Sequence, residues 1–77
     1  MDKKIPPLKA KLLIKIFLKI DFYVHHHTGS HVQLRHYQKK HLRVTIPRHE
    51  RFDSPPFVIN SILKQAELSR GEFLGLL

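Results

Sequence analysis

Phe22-Tyr23-Val24-His25-His26-His27-Thr28-Gly29-Ser30-His31-Val32-Gln33-Leu34-Arg35 is the stretch whose reading decides the fold. It reads as two short strands joined by a tight turn. In the second strand, alternation puts Val32 and Leu34 on one face and His31, Gln33 and Arg35 on the other. In the first, Phe22 and Val24 share one face, while Tyr23, His25 and His27 share the other. Gly29 supplies the backbone freedom of a hairpin turn, often with φ above zero. The turn therefore delivers His31 to a polar, cationic strand face rather than to a core.

The alternation continues downstream. The second strand is expected to reach Tyr37, a turn follows at Gln38-Lys39-Lys40, and a third strand runs from about His41 to Ile46. There Leu42, Val44 and Ile46 point inward, and His41, Arg43 and Thr45 outward. Upstream, Leu8, Leu12, Ile16 and Ile20, flanked by Leu13 and Phe17, recur at helical spacing. They predict a helix over about 6–19, opened by Pro6 and Pro7. Beyond Pro47, Asp53 or Ser54 is placed to cap a second helix opened by Pro55-Pro56. Its expected apolar face is Phe57, Val58, Ile59, Ile62, Leu63 and Ala66. Ser69-Arg70-Gly71-Glu72 matches a capping box, which starts a short terminal helical turn.

The predicted fold class is α+β, in the order α-β-β-β-α. A three-stranded antiparallel sheet with the helices packed on one face buries these stripes most simply. That is the layout of the double-stranded-RNA-binding fold. Seventy-seven residues hold one core, so a single domain over 1–77 is expected, with 1–5 as a flexible basic leader.

Fourteen Lys and Arg against six Asp and Glu give a net charge of +8 and a pI near 10.2. That balance favours nucleic acid, an acidic protein or an anionic surface as partner. Without cysteine there is no disulfide framework and no thiolate metal site. Lys11, Lys15 and Lys19 interrupt the first apolar stretch, and no run approaches the roughly 20 apolar residues of a membrane span. The chain reads as cytoplasmic, with no membrane partner.

Four constellations carry chemistry. His31 stands with the outward row Gln33, Arg35, Arg43 and Thr45; histidine titrates near neutral pH and suits proton transfer, and arginines suit phosphate. On composition alone a solvated strand face fits the same residues. In His25-His26-His27, strand alternation would let His25 and His27 share a metal. No carboxylate or cysteine stands at a convincing spacing to complete a three-ligand site, so no metal and no cofactor is predicted. Pro47-Arg48-His49 holds a histidine just past a strand end, for proton transfer, phosphate contact or a structural bond. The lysines of the first helix, with Lys15 and Lys19 foremost, supply salt-sensitive phosphate attraction or, alternatively, a membrane-surface helix.

Gly29-Ser30-His31 after Phe22, the stretch Val44-Thr45-Ile46-Pro47-Arg48-His49, and Ser61-Ile62-Leu63-Lys64-Gln65-Ala66 leading to Glu72-Phe73-Leu74 keep a familiar order and spacing. Over roughly residues 12–77 the chain resembles the HicA (YcfA-like) family of mRNA interferase toxins. The resemblance implies metal-independent cleavage of mRNA and a HicB-type antitoxin that covers the active site. It places the catalytic histidine at His31 and the family's Pro-x-His at Pro47 and His49; Ser30 and His49 are the candidate assisting groups. Lys15, Lys19, His26, Gln33, Arg35, Arg43 and Arg48 are the expected RNA-binding side chains. A non-catalytic RNA-binding module of the same fold is the alternative, and a protein whose main role is partner binding is a third reading. The chain departs from the family at Asp21, where glycine is usual, at His26-His27 in place of Arg-Gln, and at Phe57-Val58-Ile59 in place of Gly-Thr-Leu. A histidine at position 26 gives up a permanent charge, which implies weaker or pH-dependent attraction for RNA.

Overall fold

The computed structural model describes residues 5–49 and 51–77. Its elements are α1 (Ala10–Leu18), β1 (Phe22–His27), β2 (His31–His36), β3 (Arg43–Pro47), α2 (Pro56–Ala66) and α3 (Arg70–Leu74). The strands lie in the order β1-β2-β3, and both pairings are antiparallel. One sheet face packs on the helices, and the other is open. This is the expected α-β-β-β-α arrangement.

The core follows from the alternation. Leu34, Val44 and Ile46 from the strands meet Leu13 and Phe17 of α1, Ile59 and Ile62 of α2, and Phe73 of α3, all fully buried. Burying each such side chain is worth roughly 1.5–3 kcal/mol. Phe17 stands edge-on to Phe22 at 5.2 Å, and Phe22 edge-on to His36 at 4.8 Å. The row ties α1 to the start of the sheet.

Several expected boundaries move. α1 begins at Ala10, not at residue 6, because Leu8 exchanges backbone hydrogen bonds of 3.1 and 2.6 Å with Ser54. That bridge needs extended backbone, which the Pro6-Pro7 pair already favours. The buried stripe of α1 is accordingly Ala10, Leu13, Ile16 and Phe17, and Leu12 is exposed. Of the expected leader, residues 1–4 lie outside the described residues, while Ile5 is buried in the core. Neither Asp53 nor Ser54 caps α2. Pro55 takes the N-cap position with Pro56 at N1, Asp53 pairs with Lys9 at 3.2 Å, and Ser54 is held by the bridge. Phe57, expected on the apolar face, is 74% exposed, since α2 turns Ile59, Ile62, Leu63 and Ala66 inward.

The β2–β3 connection is built around a buried histidine. His36 ends β2, and its Nδ1 accepts the backbone N–H groups of Gln38 (3.1 Å) and Lys39 (2.9 Å). Leu42 N–H donates to Lys39 at 3.0 Å, so His41 and Leu42 belong to the turn and β3 starts at Arg43. At the outer edge of β3, Gln65 Oε1 accepts the Thr45 N–H at 2.9 Å and closes an otherwise unpaired edge donor. Asp21 adopts φ 71°, the left-handed region that favours glycine. That accounts for the glycine usual there, and aspartate is among the few residues that tolerate this conformation.

The capping box forms as the sequence predicts. Ser69 Oγ accepts Glu72 N–H at 3.0 Å, and Glu72 Oε1 accepts Ser69 N–H at 3.1 Å. The Ser69 side chain, and after it the Ser69 backbone N–H, holds the Glu72 carboxyl below the usual carboxylate range. A carboxyl depressed on folding stabilises above its unfolded pKa, and that contribution is lost as pH falls through the folded value. An acid titration of the thermal midpoint should therefore fall less steeply in Ser69→Ala than in the parent. Parallel titration curves would show that the cap carries no linkage.

Candidate active site

The Thr28–His31 turn is a closed hydrogen-bonded unit. Thr28 N–H donates to His31 O at 2.9 Å, His31 N–H donates to Thr28 Oγ1 at 3.0 Å, and the Thr28 hydroxyl donates to His31 O at 3.2 Å. With threonine closing the turn, Gly29 does not take positive φ, contrary to the sequence expectation. A Cβ at Gly29 would meet nothing within 4 Å, so the space above this turn is open. Ser30 Oγ lies 3.0 Å from His31 Nδ1. A hydroxyl can donate to a bare Nδ1 or accept from a protonated one, so Ser30 suits both tautomers and leaves Nε2 toward solvent.

Register decides what surrounds His31. Directly opposite it on β3 is Pro47, and Arg48 N–H donates to Ser30 O at 2.7 Å. The Pro47-Arg48-His49 segment and the Gly29-Ser30-His31 turn thus meet at one end of the sheet. On β1, Val24 pairs with Leu34 but His26 with Gln33, which makes His25 the extra residue of a β-bulge. The bulge corrects the expected alternation. His26 moves to the open face beside Gln33 and Thr45, and His27 moves to the row of Val32. There its Nε2 accepts from Arg48 Nη1 at 3.0 Å. His25 and His27 are not left as a free pair, and no group of three metal-ligating side chains gathers among the described residues.

The expected RNA-binding residues divide between two surfaces. His26, Gln33, Arg35 and Arg43 lie with His31 on the open sheet face. Lys15 lines a groove of about 530 Å³ with Lys9, Lys11, Leu12, Arg48 and His49, between α1 and the chain after β3. His31 stands at the end of the sheet where these surfaces meet. Lys19 is off that groove, in a second depression that Lys15 also lines, against Leu76 and Leu77. Sequence reasoning placed Thr28 in the turn but missed the hydrogen bonds by which it closes it, and missed that His27 meets Arg48. A threonine three residues before the histidine is a readable turn signal, but the His27 contact depends on the bulge.

A basic α+β domain with an open three-stranded sheet and a histidine-bearing hairpin is thus the class that fold and site define. The family model described as the HicA toxin of bacterial toxin-antitoxin matches residues 10–68. The chain belongs to the HicA toxin family. Comparison with curated proteins and with solved structures gave no match. Among the described residues, no helix is long and apolar enough to cross a membrane.

Proposed function

We propose that this toxin is an endoribonuclease that cuts mRNA by histidine acid–base chemistry at His31 and is neutralised by a HicB-type antitoxin. The observation that carries the reading is the Ser30–His31 pair, exposed at the tip of a cationic sheet with its Nδ1 already partnered. Internal cleavage of RNA needs a proton removed from the attacking 2′-hydroxyl or water, and a proton delivered to the leaving oxygen. His31 serves as one of these groups. His49, at the adjoining end of β3, is the candidate for the other. Arg35 and Arg43 on the open face, with Arg48 beside the turn, attract the strand and offset charge developing on the phosphate. Neither proton transfer calls for a metal or other cofactor. The excess of positive charge favours an acidic antitoxin over the same surfaces.

The test is to incubate the purified chain with RNA, with and without a chelator. Cleavage that survives the chelator supports the reading; cleavage that stops with it returns attention to a metal, and no cleavage under either condition removes the nuclease. Ser30 acts through His31 as a positioning residue. Losing one neutral hydrogen bond typically costs about 0.5–1.5 kcal/mol, so Ser30→Ala should lower kcat roughly 2- to 12-fold with KM unchanged. Ser30→Thr, which keeps the hydroxyl, should restore most of the rate. An equal loss in both variants would make the role one of turn packing instead.

A further inference from the structure

The open sheet face carries more than the residues the proposed reaction needs. Tyr23 stands directly opposite Arg35, and Arg35 directly opposite Arg43, in one outward row. Tyr37, next outward on the same face, stacks on Tyr23 with ring centroids 4.6 Å apart and planes tilted by 34°. Tyr37 is 60% exposed, so this aromatic pair is built on solvent rather than into the core. Two features of the row call for a ligand. Like charges directly opposite each other destabilise a sheet, yet neither arginine has an ion-pair partner among the described residues. Between them lies a depression of about 200 Å³ that also reaches Gln33 and Thr45. No acidic side chain stands in the outward rows of the three strands.

We propose that the Tyr23–Tyr37 pair and the Arg35–Arg43 pair form a docking subsite for single-stranded RNA, in which a nucleobase stacks on Tyr37 and a phosphate bridges the two arginines. Flat aromatic faces accept any base, and a base splayed from a single strand presents one. An anion between the arginines removes their mutual repulsion, so binding relieves a cost that the free protein carries. Arg35 lies four residues from His31 along β2, about 13 Å at strand rise. The subsite therefore grips the strand a few nucleotides from the turn and sets the direction in which it crosses the sheet. Only the placing of the cut at His31 rests on the nuclease reading.

The experiment uses the full chain carrying His31→Ala, so that RNA stays whole, and a short single-stranded RNA containing 2-aminopurine, whose fluorescence falls on stacking. Binding with quenching is expected. Tyr37→Ala should weaken affinity roughly 5- to 160-fold and abolish the quenching. Tyr37→Phe should keep both, and Phe57→Ala, an exposed aromatic outside the sheet, should change neither. A thermal melt of each variant confirms that it is folded. Unchanged affinity and quenching in Tyr37→Ala overturns the proposal, and does so even if that variant loses an antitoxin, which would assign the face to a protein partner. A chain that stacks the probe through Tyr37 but never cuts RNA leaves the subsite standing and removes only the nuclease.

Discussion

His31→Ala should lower RNA cleavage by about 10²- to 10⁴-fold, the usual worth of a placed general acid or base. The prediction is sharp because little else depends on that side chain. It is exposed, and among the described residues its ring makes one hydrogen bond, to Ser30. The turn is closed instead by Thr28 and by the backbone of residue 31, which alanine retains. Thermal stability should therefore stay within about 0.5 kcal/mol of the parent, as for other exposed substitutions. Affinity for RNA should also survive, since Arg35, Arg43 and Arg48 keep their permanent charge. Cleavage on a gel, filter binding and a thermal melt together check this. A variant that still cuts at the parental rate would take the reaction away from this turn.

Phe17→Ala should come close to unfolding the chain. Phe17 has no solvent exposure and stands in the row Phe17–Phe22–His36 that joins α1 to the sheet. Truncating such a ring costs about 3–5 kcal/mol, through lost burial and the cavity left behind. A domain of 77 residues has roughly 4–12 kcal/mol in total. The thermal midpoint should drop by well over roughly 10 °C. Phe57→Ala removes the same ring from a position 74% exposed and should scarcely move it. Denaturation curves of the two variants that coincide would mean that α1 does not hold the sheet as described.

The difference between those two phenylalanines shows where sequence reading reaches its limit. Both sit in apolar helical patterns, and periodicity alone assigned both to the core. Phe17 repeats in register with Leu13 and Ile16 and is buried. Phe57 falls outside the i, i+3, i+4, i+7 set of Ile59, Ile62, Leu63 and Ala66 that rests on β3. Leu12, in the expected stripe of α1, is exposed for the same reason. A stripe broader than the contact it serves leaves its rim in water. The start of α1 was illegible because it is set by a backbone bridge from Leu8 to Ser54, forty-six residues away in the chain (54 − 8).

Local pattern was enough for the order of elements, the inward rows of β2 and β3, the Ser69–Glu72 cap, and the position of His31 at the mouth of a hairpin on a polar face. These depend on neighbours within a few residues, where strand and helix periods act directly. Tertiary structure decided what local pattern leaves open. The bulge at His25 sent His26 to the open face and His27 to Arg48. Pairing of β2 with β3 brought the Pro47–His49 segment to Ser30 and set Arg35 against Arg43. Register and bulges are properties of two strands at once, so one strand's alternation cannot contain them. The sequence thus determined that a histidine would be offered on a cationic hairpin, and only the assembled sheet decided which residues stand around it.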